Sequence, residues 1–111
     1  ITWIGNIGNI GLLNKKVCFN QQINSIEIDN GKVFKEYVAY ALQSIVPVLR
    51  HNANKAVVPI LNKSQLEKIK IPICNLEKQK RIIDKLNIVR RIIKKQKNQL
   101  KLLEDLSKSL F

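Results

Sequence analysis

Hydrophobic positions along the chain follow two different periods. Residues 1–4 read as a strand entering a glycine-punctuated turn, with Gly5, Gly8 and Gly11 recurring every third residue, and residues 10–13 resume the strand. Residues 23–28 alternate as a further strand, closed by the turn signal Asp29-Asn30-Gly31. The period then becomes helical. Phe34, Tyr37, Val38, Ala41, Leu42 and Ile45 share one face of an amphipathic helix, which Pro47 is expected to end or kink. A polar loop over 51–55 leads to a short strand over 57–61. Ser64-Gln65-Leu66-Glu67 has capping-box spacing and predicts a brief helical turn. Residues 69–73 alternate again, as an edge strand, because Pro72 cannot donate to a ladder. The expectation for residues 1–75 is an α+β fold: a small mixed lobe of short strands and one or two helices.

Residues 76–111 contain neither Gly nor Pro and predict a long C-terminal coiled-coil-forming helix, with Asn75 as N-cap and Glu77 in the first turn. A heptad places Gln79, Leu86, Ile93, Leu100 and Ser107 at a, and Ile82, Val89, Gln96, Leu103 and Leu110 at d. Ile83, Ile92 and Leu106 widen the stripe. At 1.5 Å per residue such a helix is roughly 50 Å long. A lobe of 75 residues cannot cover it, so Ile82, Leu86, Val89, Ile93, Gln96, Leu100, Leu103 and Leu110 are expected to pair with a second long helix. Gln96 at a core position is suited to setting register or is a tolerated defect. The competing arrangement is a helix lying across its own domain.

Charge sharpens this picture. The 111 residues carry 20 Lys plus Arg against 8 Asp plus Glu, a formal net charge of +12, which points to a polyanionic partner rather than to a neutral metabolic enzyme. Lys78, Lys80, Arg81, Lys85, Arg90, Arg91, Lys94, Lys95, Lys97 and Lys101 face only Asp84 over the same span. A helix charged for solubility intersperses Glu for i,i+4 pairing, so the run as a whole favours proximity to nucleic acid. The chain opens on Ile1 in mid-strand, which reads as a piece of a longer polypeptide. The apolar stretch 37–50 is broken by Gln43, Ser44 and Pro47, so no membrane span or membrane partner is expected.

Catalytic chemistry finds little to work with. A single His51 excludes a cluster of His ligands, and Cys18 and Cys74 cannot build a zinc site alone; both read as small buried hydrophobes, in a reducing cytoplasm. Gly5-x-x-Gly8-x-x-Gly11 is not a dinucleotide fingerprint and serves better as a turn or a place of close backbone approach. No P-loop occurs, and the carboxylates are too scattered to hold Mg²⁺. The expectation is a chain without catalytic residues, metal or cofactor. For binding, Lys15, Lys16, Arg50 and Lys55 in predicted loops are candidates for phosphate contacts. Asn6, Asn9, Gln21, Gln22, Asn52 and Asn54 carry amides able to read adenine.

Residues 64–86, SQLEKIKIPICNLEKQKRIIDKL, resemble the end of a target recognition domain in specificity subunits of type I restriction-modification systems. The family's Leu-x-x-Ile run is Leu66 and Ile69, its Ile-Pro strand Ile71-Pro72, and its Leu-Glu-x-Gln-x-x-Ile opening Leu76, Glu77, Gln79 and Ile82. Ile73-Cys74-Asn75 departs from the proline-rich stretch usual there. Upstream, ITWIGNIGNIGLL is similar to the family's strand with a Gly-x-x-Gly turn, and Tyr37 to Ser44 to its Tyr-rich helix.

The resemblance implies a non-catalytic DNA-recognition subunit, or half of one. Residues 1–75 would be part of a DNA target recognition domain and residues 76–111 a conserved spacer and dimerisation helix. In the family two such helices pair antiparallel and set the gap in a bipartite target. The implied partners are double-stranded DNA, methyltransferase subunits, a restriction subunit, and a second conserved helix from another copy or a missing half. No base-reading role transfers to a particular residue. A coiled-coil interaction module and an RNA-binding basic helix remain the alternatives.

Overall fold

The computed structural model describes residues 1, 8–29, 31–53 and 63–111. Three helices follow one another: α1 Lys35–Ala53, α2 Lys63–Glu67 and α3 Leu76–Leu110. The radius of gyration is 17.6 Å, against about 13 Å for a globule of this length. The longest dimension is 54 Å, close to the ~52 Å that a 35-residue helix spans. Long helix α3 therefore sets the long axis of the molecule and stands out from a small lobe. Among the described residues no helix is long and apolar enough to cross a membrane.

Helix α1 supplies most of the core. Tyr37, Val38, Leu42, Val46 and Leu49 are buried on one of its faces, and Ile83 from α3 joins them. The predicted amphipathic face is present and longer than expected. Pro47 lies inside α1, which runs on to Ala53, so His51 belongs to a helix and not to a loop. An internal proline costs a helix about 3 kcal/mol. Burial of Val46 and Leu49 on either side offsets that, with Leu49 packed against Ile45, Leu66 and Ile69. The short helix α2 forms where the capping-box spacing placed it, although its first residue is Lys63, so Ser64 lies inside it.

The expected mixed lobe of short strands is not what forms. Residues 10–13, 24–28 and 69–73 carry no sheet ladder, and the lobe is helical with irregular connections. Ile23 carries an isolated bridge, and next to it Ile1 and Asn24 exchange backbone hydrogen bonds at 3.0 and 2.9 Å. The strands expected over 1–4 and 57–61 fall, apart from Ile1, outside the described residues. Alternation marks a segment that suits a sheet, but a strand exists only with a neighbour to pair with. Over 69–73 the backbone is satisfied differently: the Tyr37 hydroxyl donates to the Pro72 carbonyl at 2.8 Å.

Two turns obey the expected chemistry. Asp29 Oδ1 accepts from the Gly31 amide at 3.1 Å, and the Asp29 carbonyl accepts from Lys32 and Val33. Gly8 has φ +85°, and a Cβ built there would lie 2.6 Å from Val46 Cγ1. The close approach allowed by this glycine is thus to the protein's own α1. Gly8→Ala combines left-handed strain with a clash against a stiff β-branched side chain and is expected to destabilise by about 2 kcal/mol or more. Chemical denaturation checks this; an unchanged midpoint would refute it.

Candidate nucleic-acid and helix-pairing surfaces

The junction of lobe and rod is built on one amide. Gln79 is fully buried. Its Oε1 accepts from the Phe34 amide at 3.0 Å, while its Nε2 donates to the carbonyls of Cys74 at 2.6 Å and Lys32 at 3.2 Å. Phe34 is the residue before α1 and accepts the first helical bond, from Val38 at 3.1 Å. Its own N–H is the one that a Glu or Gln at the third helical position would take in a capping box; that position is Tyr37, and Gln79 takes the N–H instead. Cys74 stands one residue ahead of Asn75, whose side chain caps α3 by accepting from the Lys78 amide at 2.9 Å. One side chain therefore ties the starts of both long helices. The heptad placed Gln79 at the first position of the seam meant for a second helix, and the structure puts it inside the lobe. Nothing in the repeat says which face a lobe will cover.

A second contact lies two turns further along. The Tyr40 hydroxyl donates to Asn87 Oδ1 at 2.5 Å, and the Arg90 guanidinium sits over the Tyr40 ring at 5.5 Å. Burial, with the Cys74 thiol alongside, pushes the Tyr37 phenol above its ordinary range and keeps it a donor to Pro72. Both cysteines read as buried from sequence; Cys74 is half-buried, and Cys18 is exposed and is no core residue.

Past this elbow the rod is bare. Ile83 is buried, and Ile82 and Leu86 are half-buried beside the lobe. Val89, Ile93, Gln96, Leu100, Leu103 and Leu110 are all exposed, together with Ile88, Ile92 and Leu106. Leu103 and Leu110 keep 62% and 72% of their surface open, far more than apolar side chains on a self-sufficient helix retain. The lobe covers only the first turns of α3, so the helix does not lie across its own domain.

The candidate DNA contacts are dispersed. Lys15 lies at a bend with Lys16 beside it, and Gln21 and Gln22 form a turn in which Asn20 Oδ1 accepts from the Gln22 amide at 3.1 Å. All four are exposed. Arg50 and Asn52 belong to the last turns of α1 rather than to a loop. Asn6, Asn54 and Lys55 fall outside the described residues. Exposed Asn9 lines an apolar groove of about 760 Å³ between residues 9–28 and α1, which Lys15, Lys16, Gln21 and Gln22 do not enter. Among the described residues no three His, Cys, Asp or Glu side chains are grouped to hold a metal.

Comparison with known proteins adds to this geometry. Residues 1–102 match the family described as type I restriction modification DNA specificity domain, a match that runs across both lobe and rod. The chain belongs to that family. A relative in Methanocaldococcus jannaschii, named for the specificity subunit of the type I restriction enzyme MjaX, is 31% identical over 97 residues. That alignment takes in 85% of this chain but 23% of the relative, so the chain spans about a quarter of the protein it resembles. No solved structure matches.

Within the specificity-domain chain, the Gln of the Leu-Glu-x-Gln opening has a physical task visible only in three dimensions. Replacing it by Leu orphans one buried N–H and two carbonyls, and an expected loss of about 3 kcal/mol follows. Gln79→Glu is expected to cost a similar amount at neutral pH, since a carboxylate accepts from Phe34 but repels the two carbonyls. Denaturant unfolding of both variants checks this; a wild-type midpoint in either would contradict it.

Proposed function

We propose that the chain is a non-catalytic DNA-recognition piece of a type I specificity subunit. On this reading residues 1–75 belong to a target recognition domain, and α3 is the spacer through which it pairs with a second helix. Helix α3 supports it most directly: beyond the lobe it exposes Val89, Ile93, Leu100, Leu103 and Leu110 at seam positions interrupted by Gln96 and Ser107. A net charge of +12 supports a polyanionic partner, and the family supplies its kind. The partners are duplex DNA, methyltransferase subunits that modify it, and a restriction subunit. A DNA partner and reduced thiols suit the cytoplasm.

Pairing is tested on side chains that the lobe does not touch. Leu86 is half-buried against the lobe, so Ile93 and Leu103 are the cleaner choice. Ile93→Asp with Leu103→Asp is expected to weaken self-association at least ~100-fold, since each buried apolar side chain contributes roughly 1.5–3 kcal/mol. Sedimentation equilibrium reads the association, and far-UV circular dichroism should stay unchanged. A wild-type chain monomeric at high concentration would refute the pairing.

DNA binding is tested by salt titration of duplex against single-stranded probes. Duplex affinity is expected to fall at least ~40-fold between 50 and 200 mM salt, as about three phosphate contacts require. Preference for single-stranded RNA would favour a different partner class. No duplex binding at low salt would defeat the reading.

A further inference from the structure

The faces of α3 can be assigned from what the lobe buries. Gln79 and Ile83 are buried and Leu86 is half-buried, so these mark the side of the helix that faces the lobe. They are spaced by four and three residues, the spacing that keeps side chains on one stripe. Continued past the lobe, the same stripe runs through Arg90, Lys94, Lys97 and Lys101. All four are exposed. A stripe that is apolar or amide where it meets the lobe thus becomes cationic from Arg90 to Lys101, before Glu104 follows on the same face. Arg90 stands at the change, over the Tyr40 ring, so the row begins on the lobe itself.

Other features of the helix surface agree. Between Asp84 and Glu104 no acidic residue occurs, so no carboxylate is interspersed among the four cations of the row. Asn87, Arg90, Arg91, Ile93, Lys94, Lys97 and Asn98 line a shallow trough of about 810 Å³, in which the one apolar side chain, Ile93, belongs to the pairing seam and the polar ones are cations or amides. Helical geometry turns Ile88, Ile92, Leu103, Leu106 and Leu110 to the other side of the rod, and sets Val89, Ile93 and Leu100 between them and the cationic stripe. A partner helix seated on that apolar side has the cationic stripe along its flank.

We propose that Arg90, Lys94, Lys97 and Lys101 form a rail for the phosphodiester backbone of duplex DNA held by the lobe. The proposal rests on the DNA-recognition reading above and adds where the sequence-independent contacts are made. From Arg90 to Lys101 the row rises ~17 Å. That length of duplex carries about ten phosphates, so four cations suffice for the strand nearest the rod. Such contacts position the duplex without reading its bases. The rail makes the spacer a binding element as well as a ruler.

The test compares two triple variants of the full chain, each removing three charges. Lys94→Gln, Lys97→Gln and Lys101→Gln strip the rail, whereas Lys78→Gln, Lys85→Gln and Lys95→Gln remove cations from other faces of α3. Affinity for one duplex of fixed sequence is measured across a salt series, with circular dichroism and sedimentation as checks on fold and pairing. The rail variant is expected to flatten the log affinity against log salt slope by about 2.7, and the control by less than 1. Equal flattening in both variants would overturn the rail in favour of diffuse attraction while leaving DNA recognition standing. An unchanged slope with loss of self-association would give the row to a protein partner and overturn it too. Absence of duplex binding by the wild-type chain would defeat both readings together.

Discussion

Gln79 is the constraint from which the rest of the molecule follows. A carboxamide taken fully out of water must find partners for its polar atoms, and this one finds an N–H and two carbonyls on separate segments. Those partners are the amide just ahead of α1 and carbonyls ahead of α1 and α3. Oε1 faces the one donor among the described residues and Nε2 the two acceptors, which sets the amide's orientation. Helix α3 is held to the lobe through its first turns, with Ile83 in the core and Tyr40 bonded to Asn87 further along. Everything distal is placed by that short junction.

What the junction places is a helix with two unlike sides. The lobe-facing stripe becomes cationic as the lobe falls away, and the apolar stripe points elsewhere. A helix meant to pack on its own domain would keep its apolar residues on the lobe side along its length. Here Val89 to Leu110 face solvent instead. An apolar rod of this length exposed to water is unfavourable unless a second helix covers it. The proposed function gives both sides a purpose, one toward a twin helix and one toward phosphates.

Legibility in the sequence tracked how local each interaction is. Long helix α3 and its Asn75 cap, the Asp29 turn and the buried face of α1 depend on neighbours within a few residues, and all are present. The strands depend on partners far away or absent, and alternation over 10–13, 23–28 and 69–73 named a preference that nothing fulfils. Pro47 was a stop signal only in isolation; burial of Val46 and Leu49 carries α1 through it. Gln79 was misplaced because a heptad reports spacing and is silent on covering. Its signal was there in retrospect, as a polar residue at the first seam position, three and four residues ahead of Ile82 and Ile83. The amides and lysines offered as DNA contacts carry no such geometry, and the described ones lie on separate segments.

The central claim is a rod held at one angle by a buried junction. With Cys18 and Cys74 replaced by Ser, spin labels at Ser44 on α1 and Ser107 near the end of α3 report that angle as a distance by pulsed electron double resonance. A single narrow distance distribution is the predicted result. A broad distribution would mean that the helix swings freely about Gln79, and neither the ruler nor the rail would then stand.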